Sequence, residues 1–449
     1  MAMPLTGPDP LHAYREGARI AGTERPVPLV GTHIDVRIAG GLAVVSTERR
    51  FRNAESQSIE ATITFPIPTA ATLTGLVAEI DGRLLTARCQ RRTAARETYE
   101  AAIDAGKTGV LHEELLRGAH MLSVGHIPAG AEMRITSVWA APMSLHGTDQ
   151  LLRIPTTVGE IFGRSPLPDS DDLAAGPHVH TADLSVTADG TVTLVGGQLA
   201  DGRAHVLLNA PIEIIIAGAA PRALEGVAAD GRRVILAVRP AAEGEAALDL
   251  ELLLDESGSM ASPGTPGGAT KWDALIDGLS KVAASLRPED RIAVRAFSNS
   301  PRLVGEANGH ELERLIRSVT PNNGGTEIGQ ALESATGPSG RRDVLLVTDG
   351  KSHAIDVQAI ARRGRRVTTI LIGEDSLEAH VGLLSALTGG EIFVSSGDDA
   401  GTAAAAAIKT LRRGHRVPSP IEGAPAEVRV HRGGMVVEAH WEAATPESP

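Results

Sequence analysis

At 449 residues with 42% apolar content, the chain is long enough for two or three domains with sizeable cores. Aromatic residues make up only 2%, so those cores must be built from Val, Leu, Ile and Ala. A formal net charge of −12 argues against general affinity for nucleic acid or anionic membranes and is compatible with divalent cations. The single cysteine, Cys89, leaves no intramolecular disulfide to form. It reads as a small buried or neutral side chain, with a reactive thiol as the alternative. The opening MAMPLTGPDPLHAYREG has no apolar core of a signal peptide, and no run of about 18 apolar residues occurs. The expectation is a cytoplasmic protein without membrane insertion; richness in Ala, Gly and Arg is associated with a bacterial source.

Residues 1–25 are polar, with Pro and Gly, and are expected to be a loosely docked leader. From residue 31 the pattern becomes β. Stretches 32–39 and 42–51 flank Gly40-Gly41 as a hairpin, and 59–66, 73–80 and 84–89 follow, with Asp81-Gly82 as a turn. Residues 92–105, with Ala95, Tyr99, Ala102 and Ile103 at three- and four-residue spacings, predict one helix. Strands resume at 110–116, 121–127 and 131–139. His112-Glu113 invites a zinc reading, but position 116 is Leu where a second His is needed, so that reading is rejected. The charged helix residues Arg92, Arg96, Glu97 and Glu100 form either a binding face or a solvated one.

Several stretches resemble a VIT domain (vault protein and inter-alpha-trypsin inhibitor): FRN at 51–53, IEATITFPIP at 59–68, ARETYEAAIDAGKTGVL at 95–111 and LSVGHIPAG at 122–130. The domain is assigned to 26–164. Residues 165–180 are loop-like. Alternating runs at 182–188, 191–195, 204–208, 212–217 and 234–240 predict a second antiparallel unit over 165–246, packed on the first as a small sandwich, with 241–246 as linker.

From Leu248 the grammar changes. LDLELLLDESGSM begins as a short apolar run and stops on an acid, hydroxyls and glycine, as a buried parallel strand does. Helices at 271–286, 311–319, 328–335, 357–363, 377–387 and 400–413 alternate with strands at 291–297, 343–347, 367–372 and 391–394. That alternation demands a mostly parallel, doubly wound, Rossmann-like sheet with helices on both faces over 247–414. The fold class is thus multidomain, α/β plus mainly-β. In 415–449, residues 426–431 and 435–441 read as a hairpin across Gly433-Gly434 that docks back on the β region, because two strands alone are marginal.

Asp255, Ser257 and Ser259 close the first α/β strand at every second position. Thr326 follows Asn322-Asn323-Gly324-Gly325 just before a helix, and Asp349 closes the strand 343–347. All three segments can end at the C-terminal edge of one sheet, where α/β proteins bind ligands. Oxygen donors there suit Mg²⁺, with Mn²⁺ or Ca²⁺ as alternatives. The alternative is an ordinary set of helix caps and turn residues.

In this arrangement 247–414 resembles a von Willebrand factor A domain with its metal-ion-dependent adhesion site, through DESGSM, GGT and TDG in order. The resemblance implies Ser257, Ser259 and Thr326 as direct hydroxyl ligands. It implies Asp255 and Asp349 as ligands through water or in alternation, and an acidic residue of a protein partner completing the coordination. Gly350-Lys351-Ser352 mimics the end of a phosphate loop, but the first glycine would fall on Leu345. A serine nucleophile would need a base such as His353. Basic clusters at 362–366 and 412–413 fall at helix C-termini, where they are expected to stabilise helix ends. Loop 261–270, ASPGTPGGAT, is longer than the family's tight turn and reads as a partner-selective lid or a tolerated surface loop.

The expected function is non-enzymatic, metal-dependent protein binding. The alternatives are an accessory subunit of a larger assembly such as an ATPase complex, and a metal-dependent hydrolase. The chain ends TPESP, without the segment through which secreted relatives are attached to glycan, so matrix crosslinking is not expected.

Overall fold

The computed structural model describes residues 14–15, 17–23, 25–116, 118–158, 180–218, 222–228, 231–242, 244–265, 267–307, 309–335, 343–352, 355–373, 378–397, 399–414 and 427–442. Alternating apolar residues in the first half build one large β region. Its main sheet has seven strands in the order Arg203–Leu207, Thr181–Ala188, Leu29–Ala39, Leu42–Arg52, Glu132–Pro142, Thr72–Ile80, Arg83–Thr86. Gly40 and Gly41 both take positive φ (55° and 81°), as the tight turn between the first hairpin's strands requires. A four-stranded sheet, Gly17–Ile20, Ile59–Pro66, Ala119–Ile127, Gly109–Leu116, shares the same core, in which Phe51, Phe65, Leu122 and Ile135 are fully buried.

Two expectations need correction here. Part of the supposed leader is structured: Gly17–Ile20 pairs antiparallel with Ile59–Pro66, and Tyr14–Arg15 pairs with Thr157–Val158. Ala18 and Ile20 enter the core, so even a short alternation is held when it finds a partner edge. Nor do the described strands of 165–246 pair only among themselves. Thr181–Ala188 pairs parallel, not antiparallel, with Leu29–Ala39, and Ile212–Ile216 pairs with Asp149–Ile154. Leu184, Ile214 and Ile216 join the same core as Val36 and Ile63. Alternation reveals a buried face but not which strand lies alongside. The loop-like stretch 165–179 and the end of the chain lie outside the described residues.

The helix Arg92–Asp104 buries none of its residues. It leans on the sheet through Tyr99 and Ile103, and this works only because Gly125 has no side chain: a Cβ there would sit 2.0 Å from Ile103 Cδ1. Arg92 and Arg96 both donate to Glu113 Oε1 (2.9 and 2.7 Å), so those two charges of the helix turn inward, to the sheet. Cys89 is exposed rather than buried.

The second half folds as a six-stranded sheet ordered Pro301–Ala307, Arg291–Phe297, Asp249–Asp255, Asp343–Thr348, Arg366–Ile372, Ile392–Ser395. All neighbours pair parallel except Pro301–Ala307, an antiparallel edge strand absent from the sequence reading. The leucine run explains the layering. Leu252 and Leu254 face a core with the helices Lys271–Ala283 and Ala400–Leu411, while Leu253 faces a second core with Ile328–Ala335 and Ala379–Thr388.

The hairpin Glu427–Arg432 and Met435–Trp441 extends a sheet with Arg233–Pro240 and Arg222–Val227. The α/β lobe is therefore inserted between two strands that pair with each other. At the junction with the β region, Pro142, Leu151 and Leu152 line one cavity together with Ile392, Phe393 and Val394 of the edge strand. A polar seam fixes it: Thr69 Oγ1 donates to Glu378 Oε2 (2.6 Å), Arg432 donates to Thr69 Oγ1 (2.8 Å) and the Gly434 amide donates to Glu391 Oε2 (2.7 Å).

Candidate metal rim at the sheet edge

The strand Asp249–Asp255 ends with its last carboxylate fully buried. Asp255 Oδ1 accepts the Ser257 amide at 2.9 Å, which turns the chain, and Oδ2 accepts the Thr348 hydroxyl at 2.6 Å. Two loops that are 93 residues apart in sequence are thereby locked. Ser257 and Ser259 follow in a tight turn, with their hydroxyls 3.1 Å apart.

The third loop is tied to the same turn. The Asn322 amide donates to Glu256 O (2.7 Å) and the Gly258 amide to Gly324 O (3.2 Å). Asn322 and Asn299 side chains receive the Gly324 and Gly325 amides, both at 2.8 Å, so the glycines follow a path set by side-chain acceptors. Thr326 ends this loop, buried, with its carbonyl accepting the Ser352 hydroxyl at 2.7 Å. Asp349, also fully buried, lies one residue beyond Thr348. Asp255, Ser257, Ser259, Thr326 and Asp349 thus lie on three loops bound to one another at the C-terminal edge of the sheet.

Burial pushes the Asp255 carboxyl well above the usual carboxylate range, and the neighbouring Asp349 charge pushes it further. Two fully buried carboxyls side by side at one sheet edge favour a cation between them. Among the described residues, no group of three or more His, Cys, Asp or Glu side chains is placed to hold a metal, so this donor set rests on two carboxylates and neutral hydroxyls. Such hard oxygen donors fit Mg²⁺.

Sequence reasoning missed Lys271. Its side chain is 1% exposed and its Nζ lies 3.0 Å from Asp349 Oδ2. One signal was available: a cation in the first turn of a helix opposes the helix dipole and needs a reason to be there. The loop before it is ordered by its own bonds. The Gly264 amide donates to Ala269 O (3.0 Å) beside an antiparallel bridge between Pro263 and Thr270, and the Lys271 amide donates to Ser262 O (2.9 Å). The loop's near side packs against Ser396, 2.8 Å from where a Gly264 Cβ would be. His353 lies outside the described residues. The basic clusters do more than cap their own helices: Arg412 pairs with Asp290 (2.6 Å), and Arg366 binds Asp343 (2.7 Å) and the Leu411 carbonyl (2.7 Å).

Residues 29–137 match the family described as "Vault protein inter-alpha-trypsin domain", and 250–351 match "von Willebrand factor type A domain". The chain joins a VIT domain to a von Willebrand factor A domain. Both are protein-interaction modules, generally without catalytic activity. Curated relatives include protein mono-ADP-ribosyltransferase PARP4 of Mus musculus, 28% identical over 133 residues, covering 30% of this chain and 7% of that one. Another is von Willebrand factor A domain-containing protein 5A of Mus musculus, 27% identical over 180 residues, covering 39% of this chain and 23% of that one. The matched stretches span less than a quarter of either relative's length. Among solved structures, a von Willebrand factor type A protein from Catenulispora acidiphila aligns at TM-score 0.29 and 19% identity, over 43% of this chain and 49% of that one. Among the described residues, no helix is long and apolar enough to cross a membrane.

Proposed function

We propose that the von Willebrand factor A domain is a metal-dependent protein-binding module and that the VIT and remaining β regions are its scaffold. Asp255, Ser257, Ser259, Thr326 and Asp349 hold a Mg²⁺ ion, with Mn²⁺ or Ca²⁺ as substitutes. When bound, the ion supplies an electrophilic position that an Asp or Glu side chain of a protein partner completes. The observation that carries this reading is the junction of three loops around two buried carboxylates, joined by the Thr348 hydroxyl on Asp255. With three of its five donors neutral hydroxyls, a divalent ion there stays electrophilic, so an anionic further ligand is favoured. The chain's own contribution is preorganisation: the Ser257 amide and Thr348 hydroxyl fix the Asp255 carboxylate, and the 322–326 loop is fixed by asparagine side chains.

The test is affinity capture from the source cell with the full chain, in Mg²⁺ and in EDTA, alongside Asp255→Ala. The expected outcome is a set of partners captured in Mg²⁺ and lost under both other conditions. A partner set indifferent to chelation and to the substitution sinks the proposal.

A further inference from the structure

Lys271 is the first residue of the helix Lys271–Ala283, and its backbone is held on both sides. Its amide donates to Ser262 O, and Thr270 caps the helix by accepting the Asp273 amide at 3.0 Å. Only the long, flexible side chain is left to move. That side chain points into the rim, where the ammonium meets Asp349 Oδ2 at 3.0 Å with both partners at 1% exposure or less. A buried ammonium is strongly disfavoured unless it is paired, and Asp349 is a carboxylate that pairs with it here. Asp255 is held differently, its two oxygens taken by the Ser257 amide and the Thr348 hydroxyl.

We propose that Lys271 is a tethered cation that competes with a divalent ion for Asp349 and so sets the metal affinity of the rim. This rests on the metal-dependent reading above. The charge count shows why the two compete. With both carboxyls ionised, as a metal-bound rim requires, two carboxylates and the ammonium sum to −1. Two carboxylates and a divalent ion, with the ammonium withdrawn, sum to 0. Keeping both cations leaves +1 in a dry site, with a unit and a double charge repelling across one carboxylate. Metal entry therefore goes with ammonium departure, and the metal-bound rim is the one in which Lys271 is released towards solvent. Because the ammonium must be displaced, the ion binds weakly by itself, and a partner's carboxylate adds the stabilisation that completes the exchange.

The experiment follows Mn²⁺ binding to the full chain by electron paramagnetic resonance in the wild type, Lys271→Met, Lys271→Gln and Asp255→Ala. In parallel, lysine acetylation by an N-hydroxysuccinimide ester is read by mass spectrometry on the wild type with and without saturating Mn²⁺. Both Lys271 variants are expected to bind Mn²⁺ at least about tenfold tighter than the wild type, the scale of removing one repelling charge near the ion. In the wild type, Lys271 labelling is expected to rise with Mn²⁺ while the exposed Lys281 is unchanged. Equal or weaker binding in both variants overturns the proposal and makes Lys271 a positioning residue for Asp349, with the metal reading intact. If the variants do not fold, unchanged Lys271 labelling at saturating Mn²⁺ overturns it on the native protein. Absence of Mn²⁺ binding in the wild type and both Lys271 variants, or full retention in Asp255→Ala, removes the metal reading and this inference with it.

Discussion

Thr348 illustrates how much a single hydroxyl can hold at the rim. It donates to the fully buried Asp255 and also accepts the Gly350 amide at 3.0 Å. Thr348→Val keeps the shape and deletes the donor, and losing a bond to a buried charged group costs about 1–3 kcal/mol. Urea denaturation in EDTA is expected to show that loss, with Thr348→Ser recovering most of it; equal stability of Thr348→Val and wild type would contradict the assignment. A second residue-scale expectation concerns His112, which forms a three-ring cluster with Phe65 and His120. Burial lowers its pKa to about 4, against a smaller opposing pull from Glu113. The unfolded chain then takes up the proton first, at the ordinary imidazole value of about 6.5. Stability should fall as pH drops from there towards 4, and His112→Gln should show a shallower fall in melting temperature across that window. That Asp255, Ser257, Ser259, Thr326 and Asp349 gather at one sheet edge was legible because each lies within a few residues of a strand end or a helix start. Lys271 was passed over, because it begins an apolar-periodic helix and a lysine there reads as solvated unless its opposition to the helix dipole is weighed.

Among elements, the decisive contact is between the last helix and the turn before the second strand of the α/β sheet. Arg412 Nη2 and Asp290 Oδ2 meet at 2.6 Å, and Asp290 also accepts the Leu248 amide at 2.8 Å. Burial alone would raise the Asp290 carboxyl, but Arg412 and the Leu248 and Arg287 amides outweigh it and hold it below its ordinary value. A depressed carboxylate contributes stability above its unfolded pKa of about 4 and loses it as pH falls through the folded value. Arg412→Met, which strands a buried charge, is expected to cost about 3–5 kcal/mol at pH 7. Denaturant titrations at pH 7 and pH 3 should show the gap to wild type narrowing in acid; a constant gap would exclude this origin. The elements themselves were largely readable from periods of two and 3.6. The strand Pro301–Ala307 was not, because PRLVGEA carries Pro, Gly and charges and earns its place only by pairing with Arg291–Phe297. The parallel partnership of Thr181–Ala188 with Leu29–Ala39 was equally hidden, since alternation is blind to neighbours.

At the scale of the molecule, the C-terminal hairpin completes a sheet begun two hundred residues earlier. Removing 427–449 would uncover Val234 and Val238, which are buried now. Light scattering on that truncation is expected to show self-association through the bared Arg233–Pro240 edge. A monodisperse, equally stable truncation would argue against the hairpin's structural role.

The insertion of the α/β lobe has a further consequence, for the order of folding. Joining Arg233–Pro240 to Met435–Trp441 from an open chain means closing a very long loop, with an entropy cost that grows with its length. The folded lobe removes most of that length by clasping its own ends: the Ala246 amide donates to Arg412 O (3.1 Å), and Arg413 Nε donates to Ala242 O (2.8 Å). The distant strand therefore arrives as though on a short tether, but only once the lobe has formed. Loosening that clasp should unzip a sheet far from the lesion, so amide exchange along 234–238 is expected to quicken in Arg412→Met. The von Willebrand factor A domain is then both a passenger on the β scaffold and the fastener that closes it.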